Sequence, residues 1–205
     1  MGNGRRLVVA TTNPDKLREI RGILSGTGVT VQGLDAFPPV PEPEETGGTF
    51  ADNARQKAIH YSTALGVTVV AEDSGLEIDG LGGEPGVQSA RYGGPAAATY
   101  VQKFALVYAG LRARGAMGSA ARFVCALAVA DGAAILYESR GTVEGRINDE
   151  PRGEGGFGYD PIFFYPPLGR TLAELDDDEK ASVSHRGQAF RQLRDHLATQ
   201  PAWCR

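Results

Sequence analysis

The chain has 205 residues, a formal net charge of −4 and 28 glycines. The acidic balance excludes wholesale binding of nucleic acid, so a polyanionic ligand has to be met by a local cluster of Lys and Arg. Hydrophobic content of 41% and charged content of 22% are those of a soluble globular protein, and without linkers or repeats they point to one domain over residues 1–205. The start, MGNGRRLVVATTN, holds an apolar run too short for a signal-peptide core, and no stretch approaches a membrane span, so a cytoplasmic protein without membrane contact is expected. Two cysteines make no disulfide framework; Cys125, inside an apolar run, and Cys204, near the C-terminus, carry no chemistry in this reading.

Leu7 to Ala10 reads as a short strand. Leu17, Ile20 and Leu24 then recur at helical spacing, with Asn13 suited to the cap and Pro14 to the first turn. Val29 to Leu34 is a second strand, followed by the proline-rich stretch from Phe37 to Pro43. Thr49 caps a helix with Phe50, Ala54, Ala58, Tyr61 and Leu65 on its apolar face and Asn53 and Lys57 on its polar face. Val67 to Ala71 and Leu76 to Ile78 read as two strands around a polar turn. A glycine-rich loop runs from Gly80 to Gly94, a length that is often functional. A helix spans Thr99 to Arg112. Ala121 to Ala130 and Ala133 to Val143 form a hairpin at Asp131-Gly132, which adds antiparallel character. The tail holds a short helix opened by Thr171 with Glu174 in a capping box, a solvated acidic helix end from Asp176 to Glu179, and a final amphipathic helix with Phe190, Leu193 and Leu197. The predicted class is α/β with a mixed sheet.

Thr11-Thr12-Asn13-Pro14-Asp15-Lys16 lies at the turn from strand to helix. Helix N-termini present unpaired N–H groups and a partial positive charge, so hydroxyls, an amide and a lysine there suit phosphate. The segment lacks the GxxxxGK[ST] pattern, and in isolation such a sequence is more often a simple capped turn with a solvated Lys16. Two acidic turns follow, Glu44-Glu45-Thr46-Gly47 and, at the end of the strand from Val67, Glu72-Asp73-Ser74-Gly75. Carboxylates at a strand end point to where α/β folds bind ligands, and hard oxygen donors suit Mg2+, so both turns could share one ion. Each also has an ordinary reading, as charge favourable to a helix dipole and as a common turn. GGFGYDPIFF, from Gly155 to Phe164, lifts Phe157 on a glycine hinge as a platform for a flat partner such as a base, with Asp160 as an acceptor beside it. The alternative is a loop with Phe157 folded into the core. Gly153 to Gly158 fits GxGxxG formally, but Pro161 and an aromatic strand follow in place of a helix, which rules out a dinucleotide fingerprint. Lys180 precedes Ser184-His185-Arg186-Gly187, where Arg186 offers a planar donor fork to a carbonyl or phosphate.

Together these segments closely resemble the Ham1-like inosine triphosphate pyrophosphatase family, the non-canonical purine NTP pyrophosphatases. The resemblance covers nearly the whole chain and is carried, in family order, by TTNPDK, EETGGTF with NARQKA behind it, AEDSGLEIDGLGGEPGVQSARY, GGFGYDPIFF and EKASVSHRGQAF. It implies an elongated, two-lobed α/β fold with a central mixed β-sheet flanked by helices, a homodimer, and Mg2+-dependent hydrolysis of ITP, dITP and XTP to the monophosphate and pyrophosphate. By the same resemblance Thr11, Thr12, Asn13, Pro14, Asp15 and Lys16, with Lys57, hold the phosphates. Glu45 and Asp73 serve the metal, Asp73 is the general base, and Ser74 lies at the substrate. Phe157, Gly158, Tyr159, Asp160, Lys180, His185 and Arg186 embrace the base. Two positions depart from the common pattern: Glu72 stands where many bacterial relatives carry Asp, and Thr12 where Gly is frequent.

Hydrolysis between the α- and β-phosphates needs a metal to neutralise charge, lysines to orient the oligophosphate and an acid to position water. An Asp of ordinary pKa, ~3.9, is a weak base at neutral pH, so the expected nucleophile is a metal-bound water oriented by Asp73. Stacking on Phe157 does not choose among bases. A 6-keto purine, however, offers the Arg186 donors an acceptor, whereas adenine presents a 6-amino donor. The rival readings are a Maf-like pyrophosphatase acting on other nucleotides and a nucleotide-sensing binding protein without turnover.

Overall fold

The structure, a computed structural model, describes residues 5–199; Cys204 lies outside them. Among the described residues seven strands form one sheet: β1 (Arg5–Val9), β2 (Val29–Gly33), β3 (Val69–Ile78), β4 (Ala120–Asp131), β5 (Ala134–Ile147), β6 (Phe163–Tyr165) and β7 (Arg170–Thr171). Their order is β2-β1-β3-β4-β5-β6-β7. β1 runs parallel to both β2 and β3, whereas β6 is antiparallel to β5 and β7, so the sheet is mixed as expected. The helices are α1 (Pro14–Ile23), α2 (Phe50–Leu65), α3 (Tyr100–Ala113), α4 (Asp177–Val183) and α5 (His185–Thr199).

Local chemistry sets the helix starts. The Asn13 side chain accepts from the backbone N–H groups of Asp15 and Lys16 ahead of Pro14, and Thr49 accepts from Asp52 N–H at the head of α2. Thr99 with Gln102 and Asp176 with Glu179 form capping boxes on α3 and α4. Each such cap is worth ~1 kcal/mol. The Thr171–Glu174 box also forms, but it closes only a 3-10 turn, Leu172–Glu174, in place of the expected helix. The loop from Gly80 is likewise built from short 3-10 turns, Asp79–Leu81, Gly86–Gln88 and Gly94–Ala97.

β3 corrects the reading of two strands around a turn. Glu72, Asp73, Ser74 and Gly75 stay extended in the middle of one ten-residue strand. The Ser89 hydroxyl accepts from Leu76 N–H at 2.9 Å and donates to the Gly86 carbonyl at 2.6 Å. Both groups press on Gly75, where a Cβ would lie 2.7 Å from the Gly86 carbonyl oxygen, so only glycine fits. The carboxylates of Glu72 and Asp73, which mimic a solvated turn, meet distant cations instead.

Contacts divide the chain into two compact units whose boundaries fall within β3, β4 and β5 and between α4 and α5. The first comprises the chain up to Asp73, Cys125–Gly141, and the chain from His185 on. Its main core packs Leu7, Ile20 and Leu24 with Leu127, Phe190 and Leu193. α5 lies directly on β5: a Cβ at Gly141 would strike the His185 carbonyl, and the Ser139 hydroxyl donates to the Ala189 carbonyl at 3.0 Å. The second unit comprises Ser74–Val124 and Thr142–Ser184. Its core joins Leu76, Phe104, Leu111, Phe123, Ile147 and Phe163, with the Phe123 and Phe163 rings 4.7 Å apart. Each such side chain contributes ~1.5–3 kcal/mol on burial. Among the described residues no helix is long and apolar enough to cross a membrane.

Candidate active site

In the first unit two carboxylate–cation clusters lie on the neighbouring residues Glu72 and Asp73. Lys16 Nζ is 2.6 Å from Glu72 Oε1, and Arg186 Nη2 is 3.4 Å from the same oxygen. Arg186 Nη1 is 2.9 Å from Glu19 Oε2 on α1, and the Cys125 thiol donates to Glu72 Oε2 at 3.3 Å. Burial, then the Glu72 charge, pushes the Cys125 thiol up, so it is a protonated donor and not a nucleophile. The carboxylate of Glu72 is thus occupied by two cations and a thiol.

Lys57 Nζ joins Glu45 to Asp73, in contact with Glu45 and 3.6 Å from Asp73 Oδ1. Asn53 Nδ2 donates to Asp73 Oδ2 at 3.0 Å, and Asn53 Oδ1 accepts from Gly47 N–H at 2.8 Å. Asn53 therefore locks the turn carrying Glu45 to the base candidate. It is 1% exposed, so the expected polar face of α2 is a buried site face and not a solvated one. Burial raises the Asp73 carboxyl above the ordinary range, and Lys57 and Asn53 only partly offset it. Burial pulls the Lys57 ammonium down, but Asp73 and Glu45 outweigh it and leave the group raised and charged.

The turn from Thr11 to Lys16 forms at the head of α1 and caps itself. Thr11 Oγ1 accepts from Asn13 N–H at 3.1 Å, and Asn13 Oδ1 takes the N–H groups of Asp15 and Lys16 at 2.9 and 3.2 Å. Thr12, Pro14 and Asp15 are exposed, and Asp15 pairs with Arg18 at 3.0 Å. Lys16 is the member of this segment drawn into the acidic cluster.

The second unit holds the loop from Gly155 to Asp160, with Ser74 half-buried where that unit's part of β3 begins. Phe157 is half-buried, and Lys180 Nζ takes one face of its ring, 4.4 Å from the centroid. Asp160 is buried and accepts from Phe157 N–H at 2.8 Å and from Lys180 Nζ at 2.7 Å. Gly156, with φ +68°, is required because a Cβ there would strike Asp160. Asp160 is the loop's internal acceptor, and Tyr159 is a core residue, 3% exposed, whose hydroxyl donates to the Ser89 carbonyl at 3.0 Å.

His185 and Arg186, grouped with this loop in the sequence reading, belong to the first unit at the start of α5. Arg186, 1% exposed, pairs through its guanidinium with Glu19 and Glu72. Sequence reasoning gave no role to Glu19, Asn53 or Cys125. Glu19 lies three residues from Lys16 and Asn53 four from Lys57, the helical spacings that put each pair on one face, so a signal existed for both.

The donor set fits Mg2+ by type. Among the described residues no three His, Cys, Asp or Glu groups converge as a preformed metal cage. Mg2+ does not require one: it is commonly held by one or two carboxylates, with water and substrate phosphates completing the octahedron. Glu45 and Asp73, joined through the Lys57 ammonium, are a pair of that kind.

The chain matches the profile of the Ham1 family over residues 7–196. A protein of an Exiguobacterium species named dITP/XTP pyrophosphatase is 47% identical over 188 residues, covering 92% of this chain and 94% of that protein. A HAM1 protein from Coxiella burnetii has a similar structure, with a TM-score of 0.89 at 41% identity, covering 95% of this chain and 99% of that one. A structure from Mycobacterium abscessus, described as a nucleoside-triphosphatase or dITP/XTP pyrophosphatase, gives 0.73 at 39% identity over 92% of this chain and 98% of that one.

Proposed function

The chain belongs to the Ham1 family, and on that premise we propose that it is a Mg2+-dependent pyrophosphatase that cleaves dITP, XTP and ITP to the nucleoside monophosphate and pyrophosphate. In this reading it clears non-canonical purines from the nucleotide pool, as a cytoplasmic homodimer that binds neither nucleic acid nor membrane.

The observation that carries the reading is Lys57 lying between Glu45 and Asp73, with Asn53 fixing Asp73 to the turn that bears Glu45. An acidic protein with a tetra-anionic substrate needs local positive charge, and Lys57 with Lys16 provides it already ordered by carboxylates. Glu45 and Asp73 would hold the Mg2+, which when bound supplies charge neutralisation on the oligophosphate and lowers the pKa of water. Asn53 donates to one oxygen of Asp73 and so fixes the orientation of the carboxylate. Its raised pKa, caused first by burial, makes it a better proton acceptor than an exposed Asp. Attack of a water oxygen on the α-phosphorus breaks the bond to the bridging oxygen. Pyrophosphate leaves, Asp73 takes the water proton, and Lys16 and Lys57 orient the phosphates. The Phe157 ring, set by Gly156, Asp160 and Lys180, is the platform assigned to the base.

The test is pyrophosphate release from XTP with and without a chelator, in the wild type and in Asp73→Asn. Chelation should abolish turnover, and the variant should lose at least ~100-fold in kcat while still binding nucleotide. Near-normal turnover in the variant would overturn the assignment of Asp73.

A further inference from the structure

Stacking tolerates any base, so the choice among purines needs a hydrogen-bonding group, and Arg186 is committed to carboxylates in the first unit. Within the second unit a different group stands beside the loop of Phe157. Tyr100 opens α3 and keeps 39% of its surface exposed. A methyl group at Gly158 would lie 3.8 Å from Cε1, Cζ and Oη of its ring, so the hydroxyl end of Tyr100 packs against the residue that follows Phe157. Tyr159 meets the ring edge-on at 5.3 Å and is itself anchored on the Ser89 carbonyl.

Lys103, one helical turn along, has its Nζ 4.6 Å from the Tyr100 centroid while donating to the Ala90 carbonyl at 2.6 Å. It is 6% exposed. A carbonyl and a π face receive this desolvated ammonium, a costly arrangement for a surface helix unless the ring's position matters. Burial, then the charge of Asp160, pushes the Tyr100 hydroxyl up, so it stays a protonated donor at neutral pH.

We propose that Tyr100 is a further base-contacting residue, an aromatic surface with a hydroxyl donor beside the Phe157 platform, and that Lys103 is its positioning residue. The inference rests on the reading of that loop as the base platform. A phenol donates well to the 6-keto oxygen of hypoxanthine or xanthine, whereas toward the 6-amino group of adenine it can serve only through its oxygen, a weaker acceptor than donor.

Calorimetric binding of inosine monophosphate, adenosine monophosphate and pyrophosphate tests it. Tyr100→Ala should weaken inosine monophosphate about tenfold and leave pyrophosphate unchanged. Tyr100→Phe should narrow the preference for inosine over adenosine monophosphate. Lys103→Met should weaken inosine monophosphate in the wild type and add nothing on top of Tyr100→Ala, a non-additivity that a merely structural lysine would not give. Unchanged inosine monophosphate binding in Tyr100→Ala, or equal losses for pyrophosphate, overturns the role of Tyr100; additive losses overturn that of Lys103. If Phe157→Ala alone weakens inosine monophosphate, the platform stands and Tyr100 is excluded. If Phe157→Ala is silent as well, the base platform falls and this inference with it.

Discussion

Replacing Arg186 by leucine separates an internal ion pair from a ligand-facing donor. The side chain is 2% exposed and its two η nitrogens lie 2.9 Å from Glu19 and 3.4 Å from Glu72. The surrounding carboxylates outweigh burial and keep the guanidinium pKa raised, so the charge is secure. Leucine would leave Glu72, whose side chain is 3% exposed, with Lys16 as its cation, and Glu19 without Arg186. Breaking a buried pair from one side costs ~3–5 kcal/mol. At ~2–4 °C per kcal/mol for a chain of this size, the melting temperature should fall by roughly 6–20 °C. Thermal unfolding followed by circular dichroism reads this directly. The loss should persist in high salt, because buried pairs are poorly screened. Arg186→Lys should recover only part of it, since one ammonium does not span two carboxylates as a planar fork does. A melting temperature within ~2 °C of the wild type, coupled to a collapse of purine selectivity, would refute the internal role and return Arg186 to the base.

Asp73 has a folded-state pKa above its unfolded one, so its contribution to stability is fully present below the unfolded pKa and is lost as pH rises through the folded value. Asp73→Asn should therefore be more stable than the wild type at neutral pH and no more stable near pH ~3; equal unfolding curves at both would contradict the burial argument. Lys16→Met and Lys57→Met should weaken triphosphate binding far more than monophosphate binding, with the loss shrinking in high salt. Equal losses for both ligands would make these lysines structural. Gly75→Ala forces a Cβ onto the Gly86 carbonyl and Ser89 and should cost ~1–3 kcal/mol in denaturant unfolding; a neutral result would mean that β3 relaxes freely there.

Helix starts were legible in the sequence where a cap is written within four residues, as at Asn13 and Thr49. The mixed sheet was legible too, from a strand–helix–strand opening and a hairpin at Gly132, where φ is +58°. β3 was misread because the polar run from Glu72 to Gly75 has the composition of a turn, while the groups that keep it extended are remote. Lys16, Lys57 and Cys125 neutralise or cap its acids, and Ser89 secures Leu76 N–H. Arg186 shows the same limit. Its donor fork is evident locally, but its acceptors lie 167 and 114 residues away. Asp160 looked like a polar tip offered to a ligand because nothing in sequence places Lys180 2.7 Å from it. Tyr100 carries no local pattern of its own; only the approach of Gly158 and Lys103 singles it out.

The most direct measurement of the central claim is kcat/KM for XTP, dITP, ATP and GTP side by side, with the phosphate product identified. Pyrophosphate should be the sole phosphate product, and XTP and dITP should be preferred by ~100-fold or more over ATP and GTP. Comparable hydrolysis of ATP, or release of orthophosphate in place of pyrophosphate, would contradict that claim.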